Sequence, residues 1–162
     1  MEAITQKSKT KLSIELNTPQ DLEKIVAHEY HIRLYHSLKN INFSYSSLYR
    51  YAMKNFLLEN MSIKKSKAAL LGELMDVSET TVYRWKNSKR NVEGKYAERL
   101  SELIQFYGYG EEVIGSKSSF VEWLKSPNIH LSDQAPVEIL DSLAGMKYLK
   151  HLLDKIEYGA PV

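Results

Sequence analysis

The sequence predicts an all-α protein, in which a helical N-terminal region with a helix-turn-helix is followed by a small helical domain. Apolar residues recur at helical spacing, helix-capping residues precede these runs, and Gly or Pro follows them. The 162 residues are 43% hydrophobic and 26% charged, which is typical of a folded chain with a real core.

The composition excludes several classes of function. The chain has no cysteine, which rules out disulfides, thiol catalysis and cysteine-ligated zinc. No apolar run approaches the length of a membrane span, and residues 1–11 lack the apolar core of a signal peptide. We therefore expect a cytoplasmic protein with no membrane partner.

Charge is unevenly distributed along the chain, although the net charge is only +2. Residues 61–99 carry nine Lys or Arg against five Asp or Glu, whereas residues 110–162 carry five against eight. A basic middle and an acidic C-terminal third indicate a phosphate-binding part joined to a part with another partner.

Two helices are predicted before residue 60. Residues 1–17 are polar and are expected to form a flexible tail. A helix capped by Thr18, with Pro19 at its first position, extends to about residue 38. A second helix, over about residues 46–59, places four apolar residues on one face: Leu48, Ala52, Phe56 and Leu57.

Histidines in the first of these helices invite a metal-binding interpretation. His28 and His31 lie about one helical turn apart. A zinc-protease pattern would need a histidine at the position of Ile32, and no third ligand is near. Solvated or packed histidines are the favoured interpretation, so we expect no metal site.

The best-defined motif covers residues 66–90 and predicts two helices joined by a tight turn. Gly72 allows the helices to approach closely, Asp76 occupies the turn, and Ser78 caps the second helix. The residues predicted to face the core are Leu70, Leu71, Leu74, Met75, Val82 and Trp85. This is the helix-turn-helix pattern, although a purely structural helix pair would show many of the same features.

The outward face of the second helix has the residue types that read DNA. Arg84 and Tyr83 are candidates for base contact, because an arginine can donate two hydrogen bonds to guanine. The cations that follow are expected to contact phosphate, as are Lys64, Lys65 and Lys67 before the first helix. The candidate DNA-binding residues are Ser78, Glu79, Thr80, Thr81, Tyr83, Arg84, Lys86, Lys89 and Arg90.

A further helix is predicted from residue 94 to about residue 107, with Tyr96, Leu100 and Tyr107 on its apolar face. Gly108 and Gly110 are expected to end it and to form a hinge between a helical region over residues 18–110 and a domain over residues 117–162. The glycine spacing does not fit a dinucleotide-binding loop.

Residues 117–162 contain a dense succession of helix signals. Ser119 and Glu122 form a predicted capping box, Pro136 starts a short helix, Ser142 caps the last helix and Gly159 ends it. Apolar residues at helical spacing predict the core side of these helices: Phe120, Trp123, Leu124, Met146, Leu149, Leu153 and Ile156.

This C-terminal third, with its segments FVEWLKSPNIHL and APVEILDSLAGMKYLKHLLDKIEYG, resembles the toxin-binding domain of the Xre/MbcA/ParS antitoxins. Together with the helix-turn-helix of the Xre type, the resemblance covers roughly residues 45–160. The matching positions are Phe120, Trp123, Leu124, Pro127, Asn128, Leu131, Pro136, Leu140, Asp141, Gly145, Leu152, Leu153, Ile156, Glu157 and Gly159.

The resemblance implies a type II antitoxin, which needs no cofactor and is not an enzyme. Its expected partners are a cognate toxin, of the NAD-consuming RES-domain class, double-stranded promoter DNA and a second copy of the chain. In such pairs the C-terminal tail reaches the toxin's NAD site. The corresponding toxin-binding residues here are Tyr158, Gly159, Ala160, Pro161 and Val162.

Two positions depart from the pattern of the family. Ser132 and Asp133 stand where many relatives carry a glycine pair, so a different local turn is expected. Pro161 stiffens a tail that is often longer or more aromatic in relatives.

The alternative is an ordinary helix-turn-helix transcriptional regulator whose C-terminal domain serves dimerisation or ligand sensing. An enzyme is poorly supported, because no nucleophile–base pair, phosphate loop or metal cluster is evident in the sequence. The sequence does not determine the operator, the toxin or the stoichiometry of the complex.

Overall fold

The computed structural model describes residues 43–56, 58 and 65–159. The α-helices of these residues are α1 (Tyr45–Asn55), α2 (Lys67–Met75), α3 (Glu79–Trp85), α4 (Gly94–Ile114), α5 (Lys117–Lys125) and α6 (Leu143–Glu157). Two 3-10 helices, Ile129–Leu131 and Pro136–Ile139, connect α5 to α6. The predicted all-α class is confirmed for this part of the chain. The predicted tail over 1–17 and helix over 18–38, with His28 and His31, lie outside the described residues.

Helix α1 is the helix predicted over residues 46–59, but it begins one residue earlier and ends at Asn55. Ser44 caps it by accepting a hydrogen bond from the backbone N–H of Ser47. Leu48, Ala52 and Phe56 are buried, as their shared face predicts, whereas Leu57 lies outside the described residues.

The predicted helix pair over residues 66–90 is present as α2 and α3. Asp76 adopts a left-handed conformation (φ 55°) that ends α2, and the Ser78 hydroxyl caps α3 by accepting from the N–H of Thr81 at 3.2 Å. A β-carbon on Gly72 would lie 2.6 Å from the carbonyl oxygen of Val77, so the turn packs directly on this glycine. The predicted core residues of this pair, Leu70, Leu71, Leu74, Met75, Val82 and Trp85, are all buried.

Helix α4 corrects one prediction. It continues through Gly108 and Gly110 to Ile114 and ends only at Gly115, which takes a left-handed φ of 104°. The predicted helix end and hinge at Gly108 and Gly110 are therefore wrong. A β-carbon on Gly110 would lie 2.1 Å from the ring of Phe120, so this glycine admits a buried aromatic from α5 rather than ending the helix.

The long helix α4 contributes to the core on both sides of the predicted domain boundary. Its N-terminal half packs against α2, and its C-terminal half packs against α5 and α6. The Phe106, Tyr107 and Phe120 rings meet edge to face, with centroids 5.4–6.2 Å apart. The buried residues form one continuous cluster from Phe43 to Leu153. The division into 18–110 and 117–162 remains a prediction.

The cap of α5 is a second correction, because the capping residue lies three positions before the predicted one, Ser119. Ser116 is the cap and accepts a hydrogen bond from the N–H of Ser119 at 3.0 Å. Glu122 forms an ion pair with Lys125 at 2.6 Å. Since Gly115 has just ended α4, the chain is extended at Ser116, which is the conformation that a cap requires.

Three further predictions of helix starts and ends in the C-terminal third are confirmed. Pro136 starts a short helix, which is of the 3-10 type, and Ser142 caps α6 by accepting from Gly145 N–H at 2.9 Å. Gly159 follows α6 with a left-handed φ of 67°. Ser132 (φ 54°) and Asp133 (φ 65°) also take left-handed conformations, so this turn uses the backbone that a glycine pair favours.

Candidate functional site

Helix α3 has one face buried against the core and an opposite face exposed to solvent. Val82 and Trp85 are buried against the core, and the Trp85 ring stacks on Tyr45 with centroids 5.1 Å apart. Thr80, Tyr83 and Arg84 are exposed, and 55% of the surface of Tyr83 is accessible to solvent. The structure therefore places the predicted base-contact candidates, Arg84 and Tyr83, on the solvent side of the helix.

Three of the other candidate residues of α3 are engaged within the helix pair. Ser78 caps the helix and its hydroxyl also lies 2.9 Å from the Thr81 hydroxyl. Glu79 accepts a hydrogen bond from the hydroxyl of Ser66, which itself caps α2. This contact joins the first turns of α2 and α3, so Glu79 and Ser78 orient the outward face of α3.

The cations after α3 lie on a loop, residues 86–91, whose backbone is fixed by the start of α1. Tyr45 N–H donates to the Arg90 carbonyl oxygen and Ser46 N–H donates to the Ser88 carbonyl oxygen, each at 3.0 Å. Lys86, Lys89 and Arg90 are exposed on this loop. Cations held at one end of an outward helix form a surface suited to phosphate groups.

Arg99 on α4 joins the two parts of the described chain, and sequence reasoning missed it. Its Nε donates to the Leu74 carbonyl oxygen at 2.7 Å, and its Nη2 donates to the Leu140 carbonyl oxygen at 2.8 Å. Burial lowers the pKa of the guanidinium, an effect opposed by Glu102 and, more weakly, by Asp76. No local pattern in the sequence could have revealed these contacts, because the partners are far apart in the chain.

Tyr109, also missed, holds the C-terminal half of α6 against α4. Its hydroxyl lies 2.7 Å from an Asp154 carboxylate oxygen and 2.6 Å from a Glu157 carboxylate oxygen. Desolvation, and then the contacts with these carboxylates, raise the pKa of the Tyr109 hydroxyl. The hydroxyl therefore stays protonated and donates, which fixes the end of α6 just before the predicted tail.

The predicted toxin-binding residues begin at this fixed end of α6. Of the surface of Tyr158, 82% is accessible to solvent, and Gly159 is also exposed. Ala160, Pro161 and Val162 lie outside the described residues. The start of the tail is therefore accessible to a partner.

Residues 43–56, 58 and 65–159 contain no group of three His, Asp or Glu placed to hold a metal ion. None of their helices is long and apolar enough to cross a membrane.

The geometry defines an all-α protein that presents an outward helix with basic neighbours and a C-terminal helical unit with an exposed end. Residues 110–159 match the family model described as the antitoxin Xre/MbcA/ParS C-terminal toxin-binding domain. The predicted resemblance is confirmed over these residues, and a cognate toxin is the implied partner. The match begins inside α4, seven residues before the predicted domain start. No curated protein sequence matches the chain.

Proposed function

We propose that this protein is the antitoxin of a type II toxin–antitoxin system, which blocks the active site of its cognate toxin and represses its own promoter. The observation that carries the proposal is the match of residues 110–159 to an antitoxin toxin-binding domain. The folded unit formed by the end of α4, α5 and α6 supports it. The finer proposal is that the toxin is an NAD-consuming enzyme of the RES-domain class.

Neutralisation is proposed to be steric. The C-terminal tail, residues 158–162, continues from α6, whose last turns Tyr109 holds against α4. A tail that starts from a fixed point loses less conformational freedom when it enters a cleft than one that starts from a frayed helix. The tail excludes substrate from the toxin, so the antitoxin itself needs no catalytic residue.

Promoter binding is proposed for α3 and the loop over residues 86–91. Arg84, Tyr83 and Thr80 approach base edges, while Lys86, Lys89 and Arg90 contact phosphates. A single recognition helix binds weakly, so a homodimer that contacts two half-sites about 34–36 Å apart is proposed. Free toxin then changes the composition of the DNA-bound complex, which couples repression to neutralisation.

The test of neutralisation is co-expression with the product of the neighbouring gene, with cell growth and NAD consumption as readouts. Full-length protein is expected to co-purify with that product and to silence it. A chain that ends at Glu157 is expected to bind but not to silence. If full-length protein neither binds nor silences, the antitoxin proposal is wrong and the alternative, an ordinary regulator whose C-terminal domain dimerises or senses a ligand, is favoured.

A larger truncation near Gly115 is unsuitable, because Phe120 packs against Phe106 and Tyr107 of α4. Removing α5 would expose these buried rings and perturb the whole core. Tail removal leaves the described core intact and gives the cleaner comparison.

The test of promoter binding uses the operon's own upstream DNA. Arg84→Ala is expected to weaken binding by about 1–3 kcal/mol and to relax specificity at one base pair. Lys89→Ala is expected to weaken binding to all sequences and to lower the salt dependence by about one counterion. If both variants bind like the original protein, α3 is not a recognition helix.

A further inference from the structure

We infer that the Glu79 carboxylate reads a cytosine in each half-site of the operator, and that the Ser66 hydroxyl positions it for this contact. The inference rests on the proposed promoter binding, because it names a base that α3 recognises. A base contact also accounts for an acidic side chain on a helix whose other charged residue is Arg84.

Glu79 lies on the outward face of α3. It is the first residue of the helix, it is exposed, and it lies one helical turn before the exposed Tyr83. The opposite face is buried through Val82 and Trp85. In helix-turn-helix proteins, residues near the beginning of the recognition helix contact base edges. The position of Glu79 therefore brings its side chain within reach of a base.

The Glu79 carboxylate is held from the neighbouring helix. Its Oε1 accepts a hydrogen bond from the hydroxyl of Ser66, the residue that caps α2. The same hydroxyl accepts from the N–H of Ala69 at 3.0 Å, so its own proton is directed to Glu79. This contact uses one carboxylate oxygen and leaves Oε2 to accept from a base. Because it restricts the rotamers of a long exposed side chain, less conformational entropy is lost when DNA binds.

A carboxylate distinguishes the four bases by charge and hydrogen bonding. When ionised it only accepts hydrogen bonds. In the major groove cytosine presents an amino donor, whereas guanine presents two acceptors and thymine presents an acceptor beside a methyl group. Adenine presents its amino donor beside the N7 acceptor, which repels a carboxylate and suits a side-chain amide. A glutamate held in place therefore selects cytosine, by repulsion of the other bases as well as by attraction.

The test is selection of binding sites from a randomised duplex DNA library by the complete protein and its variants, with thermal melting to show that each variant folds. Glu79→Gln keeps an oxygen that can accept from Ser66 but replaces the carboxylate by an amide. Glu73→Gln is the matched control, because it removes the same charge from an exposed glutamate of α2 that is paired with Lys65 instead.

The unmodified protein is expected to enrich cytosine at one position of each half-site. Glu79→Gln is expected to shift that position to adenine, with a change of about tenfold in the ratio of the affinities for the two bases. Glu73→Gln is expected to change the affinity for all sequences alike and to leave every base preference unchanged.

The role of Ser66 is tested in the same selection. Ser66→Ala is expected to weaken the preference for cytosine several-fold without a shift to another base. Ser66→Thr keeps a hydroxyl and is expected to retain the preference. Loss of the α2 cap in Ser66→Ala lowers stability, but a lost cap alone does not change which base is preferred.

Three results would overturn the inference. If Glu79→Gln and the unmodified protein select the same base at every position, Glu79 has only a structural role, although promoter binding stands. If Ser66→Ala keeps the full preference for cytosine, Ser66 does not position the carboxylate. If the unmodified protein selects no sequence at all, the proposed promoter binding is wrong and this inference is wrong with it.

Discussion

The guanidinium of Arg99 donates to the carbonyl oxygen of Leu140 at 2.8 Å, and the same group donates to the carbonyl oxygen of Leu74 at 2.7 Å. Leu74 lies in the last turn of α2, and Leu140 ends the second 3-10 helix. Carbonyl groups at helix ends lack partners within their own helix. One side chain of α4 therefore satisfies two helix ends and joins the helix pair to the unit that carries α6.

Replacement of Arg99 tests this connection. Arg99→Met is expected to lower the free energy of unfolding by about 2–3 kcal/mol, because two hydrogen bonds to a charged group are lost and two enclosed carbonyls remain. Arg99→Lys keeps the charge but cannot reproduce both contacts, and an intermediate loss is expected. Urea unfolding measures the change. Lys125→Met, which removes an exposed ion pair, is the control and is expected to cost less than about 1 kcal/mol. Equal losses for Arg99→Met and Lys125→Met would contradict the connection.

Two glycine-to-alanine substitutions are expected to change the free energy of unfolding in opposite directions. Gly72→Ala places a methyl group 2.6 Å from the backbone oxygen of Val77, and a loss of about 1–3 kcal/mol is expected. Gly108→Ala meets nothing within 4 Å inside a continuous helix, and a gain of about 0.5–1 kcal/mol is expected. Thermal and urea unfolding of both variants check the prediction. A loss of stability in Gly108→Ala would indicate that α4 is interrupted there, as the sequence had suggested.

The turn between the two 3-10 helices contains strained residues. Ser132 takes a φ of 54°, which an L-residue with a side chain adopts at a cost. Ser132→Gly is expected to raise the free energy of unfolding by about 0.5–1 kcal/mol. Gln134→Gly, in the same turn but without a positive φ, is the matched control and is expected to lower it. If both changes lower stability, relief of strain is not the dominant effect.

The pH dependence of stability is expected to contain a contribution from Glu102. Burial raises the pKa of this carboxyl above its usual 4.5, an effect that Arg99 opposes only in part. The folded state then holds the proton more tightly than the unfolded state, so this contribution is present at low pH and is lost as the pH rises through the folded pKa. The difference in melting temperature, Glu102→Gln minus the original protein, is expected to become more positive from about pH 4 to pH 7, because only the original protein loses this contribution. Parallel curves would contradict this assignment.

Local patterns predicted the helix pair because local interactions determine it. Ser78 caps α3 through a contact three residues away, and Val82 and Trp85 share a face by helical spacing alone. The cap of α6 at Ser142 and the left-handed Gly159 are likewise short-range features. Sequence reasoning recovers such features because the interacting groups lie within one helical turn.

The wrong helix end at Gly110 and the missed role of Arg99 both arose because a distant residue determines the outcome. Gly110 has the local signature of a helix end, but Phe120 from another helix occupies the space beside it. In the sequence, Arg99 cannot be distinguished from any other cation on a helix. Its role depends on the carbonyl groups of residues 74 and 140, which lie beside it only in the folded chain.

Binding of a cognate toxin by the unit over residues 110–159 is tested by the affinity of full-length protein for the product of the neighbouring gene. Isothermal titration with a catalytically inactivated toxin gives both the affinity and the stoichiometry. We expect a defined stoichiometry and a dissociation constant in the nanomolar range, which corresponds to a binding free energy of about −12 kcal/mol. Absence of a binding signal, with both proteins folded, would contradict it.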